Sequence, residues 1–175
     1  MTELCESTSD LYKHLQELRN ELHVVKAENA KLRQQIWYNR DTIDKLENHS
    51  RRNNLIFRNF AERPNETWEQ CENIVVNFVR DRLQIDLDYY DIERAHRLGS
   101  GNDRPIIVKF SSFKRKSEVL RNAFKAKGTP VVIQQDFSKP VLETRKQLSV
   151  FMKQARECSK RAKLKFNELY ITNKA

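Results

Sequence analysis

The sequence predicts an α+β protein: an N-terminal parallel coiled coil, then a β-α-β-β-α-β domain, then a short basic helical segment. Three observations carry this reading. Apolar residues recur every seven positions through residues 1–50, that repeat gives way to alternation after His49, and residues 104–175 hold 18 Lys and Arg against 5 Asp and Glu. The expected divisions are a stalk at 1–50, a domain at 51–139 and a C-terminal segment at 140–175.

In the stalk, Leu4, Leu11, Leu18, Val25, Leu32, Asn39 and Leu46 fall at d, and Thr8, Leu15, Leu22, Asn29, Ile36, Ile43 and Ser50 at a. Such a repeat leaves a narrow seam that only another helix covers, so the chain is expected to self-associate. A helix folded back on its own domain would show a wider apolar face. Neither Gly nor Pro interrupts Ser9 to Leu46, and Ser9 or Asp10 can cap the start. Glu21 at g meets Lys26 at e of a parallel neighbour, and Glu28 meets Arg33 likewise, which favours strands in register. Asn29 and Asn39 put amides in the seam, lowering stability while penalising wrong registers. The residues expected to drive association are Leu11, Leu15, Leu18, Leu22, Val25, Asn29, Leu32, Ile36, Asn39, Ile43 and Leu46. Strand number stays open on the heptads. Ile36 and Ile43 at a with Leu32 and Leu46 at d favour a dimer, whereas Leu22 at a with Val25 at d favours more strands.

The domain begins with a strand at Asn53–Phe60, with Leu55, Phe57 and Asn59 on one face and Ile56 and Arg58 on the other. Pro64 and Asn65 make a loop, and Thr67 with Gln70 fits a capping box. The helix it opens has Trp68, Cys71, Val75, Phe78, Val79 and Leu83 on one apolar face. A second strand is expected at Ile92–Leu98, ended by the Gly99-Ser100-Gly101-Asn102 turn. A third, at Arg104–Phe110, points Ile106, Val108 and Phe110 inward, with Ile107 and Lys109 outward. Ser111 or Ser112 caps a second helix carrying Val119, Leu120, Ala123 and Phe124, with Gly128 beyond its end. Val131–Gln135 makes a fourth strand. Pro140 then starts a helix running to about Lys163, with Val141, Leu148, Met152, Ala155 and Ala162 on its inner side. On it Lys146, Lys153, Arg156, Lys160 and Lys163 form a basic stripe, and Leu169, Tyr170 and Ile171 add a short strand.

Charge and composition narrow the function. The chain is +9 overall, yet residues 1–50 carry 7 basic against 9 acidic residues, so the positive field belongs to the rest. That balance points to a polyanionic partner, nucleic acid ahead of an acidic membrane surface. Cys5, Cys71 and Cys158 are far apart, which argues against a zinc knuckle or a disulfide framework. No secretory signal opens the chain, and no apolar run approaches the roughly 20 residues a membrane span needs, so a soluble intracellular protein is expected. No catalytic constellation is visible. His14, His23 and His49 fall on the stalk, His96 lacks partners at ligand spacing, and three glycines cannot build a Walker-type loop. Asp86, Asp88 and Asp91 beside Tyr89 and Tyr90 lack the central Gly of a calcium loop and read as an acidic loop. Neither enzyme activity, nor a cofactor, nor a metal is expected.

The β-α-β-β-α-β order is that of a ferredoxin-like sandwich, with two helices on one sheet face and the other open. An open sheet in a basic chain resembles the RNA-recognition motif, whose β1 and β3 aromatics stack on single-stranded bases. Here Ile56, Pro105 and Ile107 stand at those stacking positions, so stacking on the sheet should be weak and phosphate contacts should dominate, with low sequence specificity. A closer resemblance covers about residues 3–150. The segments Arg51-Arg52-Asn53-Asn54-Leu55, Ile92-Glu93-Arg94-Ala95-His96-Arg97, Arg104-Pro105-Ile106-Ile107-Val108-Lys109-Phe110 and Asp136-Phe137-Ser138 resemble, in order, the first-open-reading-frame protein of LINE-type retrotransposons. The resemblance implies a homotrimeric stalk, a noncanonical RNA-recognition motif, and a C-terminal domain, which together coat the element's RNA and act as a nucleic-acid chaperone. It also implies a cytoplasmic ribonucleoprotein, with the nucleus as a second location. The C-terminal part here is shorter than in mammalian versions, and nuclease and reverse transcriptase would lie on another polypeptide.

The expected nucleic-acid contacts are Arg51, Arg52 and Arg58, at the stalk root and on the open sheet, with Lys146, Lys153 and Arg156 on the basic helix. The resemblance adds Arg94, Arg97, Lys109 and Arg145. Lys114, Arg115 and Lys116 open a helix against its macrodipole, a local cost that hints at use. Single-stranded RNA, or single-stranded DNA, would lie between the sheet and the basic helix, with several heads per stalk raising effective concentration. The competing class is a coiled-coil scaffold whose head binds a protein through Ile56 and Ile107. A zipper-type transcription factor fits poorly, because the arginines follow the heptads instead of preceding them.

Overall fold

The computed structural model describes residues 2–101 and 104–173, with side chains described from Leu11 onward. The side chains of Leu4, Cys5, Thr8, Ser9 and Asp10, and the turn residue Asn102, lie outside the described residues. The chain divides into two compact units, residues 1–45 and 46–175.

Helix α1 runs unbroken over Thr2–Arg51, so Ser9 and Asp10 sit inside it instead of capping its start. Its described a and d aliphatics are uncovered in the single chain, from 49% exposure at Ile36 to 65% at Leu46. The Asn29 amide donates back to the Val25 carbonyl at 3.0 Å.

The second unit contains β1 (Asn54–Arg58), α2 (Trp68–Phe78), β2 (Ile92–Arg97), β3 (Ile106–Phe110), α3 (Phe113–Asn122) and β4 (Val132–Gln135), followed by α4 (Lys139–Glu157), β5 (Arg161–Lys165) and β6 (Glu168–Thr172). The first four strands form an antiparallel sheet in the order β2-β3-β1-β4, and β5 and β6 form a hairpin of their own. Alternation decides which side chains point inward. Leu55, Phe57, Ala95, Ile106, Val108 and Phe110 are buried against Cys71, Val75 and Val79 of the α2 region and Val119 of α3, so both helices cover the same sheet face.

The ends of these elements follow local chemistry. Thr67 and Gln70 make the capping box of α2, which continues as a π-helical turn over Val79–Leu83 and stops at Gln84 in the left-handed region. Ser112 caps α3 by accepting from the Lys114 N–H. Two expected core residues are corrected. Trp68, the first residue of α2, is 53% exposed, and Phe124 is 72% exposed because it lies in a 3-10 turn (Ala123–Ala126) that departs from the helical period.

The last helix is also shorter than expected. α4 ends at Glu157, and Ser159 turns the chain with φ 60°. Residues 161–165 then pair with 168–172, Lys163 opposite Tyr170 and Leu164 opposite Leu169. Lys160 and Lys163 therefore leave the expected helical stripe, and Lys163 becomes a strand residue.

Candidate functional site

On the face of the sheet away from α2 and α3, the registers set Gln134, Ile56, Ile107 and His96 in one row and Asn54, Lys109 and Arg94 in the next, with Arg58 opposite Val132. This face carries three of the expected cations, but two are partly occupied. Arg58 Nε donates to Gln134 Oε1 at 3.1 Å, and Lys109 Nζ lies 2.6 Å from a Glu93 carboxylate oxygen. Arg94 is exposed and, among the described residues, has no carboxylate partner. His96 is held below its ordinary value by burial and by the nearby Arg94 charge, so it adds no cation at neutral pH.

Several expected contacts prove to be structural. Arg97 points into the unit: its side chain is 3% exposed, and Nε meets Glu66, itself 1% exposed, at 2.7 Å. Nη1 donates to the carbonyls of Phe60 and Arg104, and Nη2 to that of Ala61. A guanidinium spent this way staples the 60–66 loop to the end of β2 and cannot reach a phosphate. Arg115 binds Asp91 and Glu118, and Lys116 is 5% exposed, with its ammonium pKa lowered by burial. Arg115 thus ties α3 to the 86–91 loop, and Lys116 is buried over the Phe113 ring, so neither cation is turned out towards a ligand.

Arg51, at the end of α1, is a clasp. Its Nη1 meets Asp136 at 2.9 Å and its Nη2 meets Glu47 at 2.7 Å. Asn54 takes the second Asp136 oxygen. The Asn48 amide donates to Ser138 Oγ and accepts from the Ser138 N–H. Arg52 is exposed beside this clasp, and Lys146 and Lys153 are exposed on α4. Arg156 turns back to the Ala162 carbonyl, closing the α4–β5 turn.

The cations converge elsewhere. A cleft of about 780 Å³ opens between β4 and the β5–β6 turn, with the end of α3 and the start of α4 as its other sides. Arg121, Arg145, Lys163 and Lys165 line it with Phe137, Leu142 and Phe166, and among the described residues no Asp or Glu lines it. Arg145 is central: its guanidinium stacks 4.8 Å from the centre of the Phe137 ring, and Nη1 donates to the Phe166 carbonyl. Phe137 and Phe166 meet edge to face at 5.7 Å, and Phe166 holds the hairpin turn with φ 51°. Packing thus fixes Arg145 in the cleft wall, where burial holds its guanidinium below the ordinary arginine value. Arg121, Lys163 and Lys165 have no carboxylate partner among the described residues, so an anion here meets uncompensated charge. Of this set the sequence reading named Arg145 as a contact, placed Lys163 on a helix and missed Arg121 and Lys165. The alternation Arg161-Ala162-Lys163-Leu164-Lys165 was the available signal.

Among the described residues, no helix is long and apolar enough to cross a membrane, and no group of three His, Cys, Asp or Glu side chains is placed to hold a metal ion. No family model matches the chain.

Proposed function

We propose that the chain is a non-enzymatic, single-stranded nucleic-acid-binding homo-oligomer that grips phosphates in the cleft between β4 and the β5–β6 turn. The observation that carries this reading is the set of four cations around a cleft that no carboxylate of the described residues lines. Phosphates neutralise such a set and release counterions, an attraction blind to base identity, so sequence specificity is low. α1 serves as a parallel coiled coil, trimeric first and dimeric second. Its uncovered heptad seam supports this, because a helix that leaves nine seam aliphatics about half exposed gains stability by burying them in a partner. The head acts as a noncanonical RNA-recognition motif, and the assembly coats and chaperones RNA of the retrotransposon type as a cytoplasmic, and secondarily nuclear, ribonucleoprotein.

The test is a binding titration of the full chain against unstructured RNA and DNA strands over a range of salt. Four phosphate contacts give a slope of log affinity against log salt of roughly −3, at about −0.7 per contact. A flat response, or a monomeric mass by light scattering at micromolar concentration, overturns the proposal.

A further inference from the structure

Alternation divides the β5–β6 hairpin into two unlike faces. Ala162, Leu164 and Leu169 turn towards α4, where Ala162 is buried and the other two are half-buried. Arg161, Lys163 and Lys165 point the other way and are exposed. Tyr170 shares that outward face, directly opposite Lys163, and is 50% exposed.

We propose that this outward face is a base-stacking site, with Tyr170 as the platform and the β5 cations as a phosphate track that continues from the cleft. The inference rests on the nucleic-acid reading above and adds a second kind of contact to it. Alternate residues of a strand lie about 6.8 Å apart, a spacing that suits successive phosphates of an extended single strand. The three cations therefore receive consecutive phosphates in line. Lys163 and Lys165 also border the cleft, so a strand leaving it runs onto this row. Cross-strand partners sit about 5 Å apart, which puts the Tyr170 ring within reach of the base belonging to the phosphate at Lys163. Glu168 decides the orientation. It accepts the Tyr170 hydroxyl and lies opposite Lys165, so its charge keeps phosphates on the β5 side and leaves bases on the β6 side. On the other face of the four-stranded sheet the central residues are Ile56, half-buried, and Ile107, which is 9% exposed and so not the outward residue expected, whereas Tyr170 is an exposed ring beside cations with no carboxylate partner among the described residues.

The experiment compares a fluorescein-labelled DNA strand with an abasic strand of the same length, using full-length wild type, Tyr170→Ala and Tyr170→Phe. Stacking gives a Tyr170→Ala loss of roughly 5- to 150-fold on the normal strand, little change on the abasic strand, and near-wild-type affinity for Tyr170→Phe. Replacing Arg161, Lys163 and Lys165 with Gln lowers the salt slope by about 2. Wild-type affinity of Tyr170→Ala on the normal strand overturns the stacking site while leaving the cleft reading intact. An equal loss on both strands also overturns it, since the ring then matters only to the fold. Failure of wild type to bind either strand removes the nucleic-acid reading itself.

Discussion

Replacing Arg97 with Ala separates a structural arginine from a ligand-gripping one. In the folded unit Arg97 supplies the charge partner of Glu66 and donors to three backbone carbonyls. Without it the Glu66 carboxylate, 1% exposed and with Oε1 already lacking a partner, is left buried and uncompensated. Breaking a buried pair from one side costs about 3–5 kcal/mol. With a urea slope on the order of 2 kcal/mol/M, the midpoint should fall by about 2 M. The assay is urea unfolding followed by Trp68 fluorescence in a Trp37→Phe background. Arg97→Met combined with Glu66→Leu should recover part of the loss, because an apolar pair of similar volume fills the site. The same pair sets an acid limb. Arg97 holds Glu66 below its ordinary 4.5, chiefly through their hydrogen bond. The unfolded chain therefore binds the extra proton first as the pH falls below about 4.5, and the contribution, full above that value, is lost as the pH drops through the lower folded value. Arg97→Ala should flatten this limb. A midpoint shift under about 0.3 M would refute the burial argument, and loss of nucleic-acid affinity at unchanged stability would return Arg97 to the phosphate contacts.

Lys116→Met should stabilise the second unit by about 1 kcal/mol, because a poorly solvated ammonium gives way to an apolar chain. Burial lowers the folded Lys116 value below 10.5, so wild-type stability rises with pH as the unfolded chain alone keeps its proton, and urea midpoints of the variant at pH 7 and 9.5 should lack that rise. Asp136→Ala should cost about 2–3 kcal/mol by releasing Arg51 and Asn54, with faster amide hydrogen exchange over residues 46–58 as the readout and a smaller effect for Asp136→Asn. Gln84 is exposed with φ 58°, so Gln84→Gly should raise the urea midpoint by an amount worth about 0.5–1 kcal/mol.

Local signals in the sequence carried the elements. Alternation in Ile106–Phe110, the Thr67/Gln70 box and Ser112 ahead of α3 each specify structure through neighbours a few residues away, and the strands and helices lie where those signals put them. The uninterrupted seven-residue repeat likewise demanded a long helix, and α1 spans 50 residues. The site was less legible. A basic residue reads as an outward contact until a partner distant in sequence is known. Glu66 lies 31 positions from Arg97, and Asp136 lies 85 from Arg51.

The C-terminal segment marks the boundary most clearly. Lys, Arg and Ala suit a helix as well as they suit the exposed face of a hairpin, so the sequence by itself determined that residues 139–165 are basic and amphipathic, but not where α4 stops. Only the pairing of Arg161–Lys165 with Glu168–Thr172, and the contact of Arg145 with Phe137 and the Phe166 carbonyl, decided that. Hydrophobic period is a property of consecutive residues and survives in the sequence. Convergence of Arg121, Arg145, Lys163 and Lys165 on one cleft depends on contacts between elements that consecutive residues do not encode.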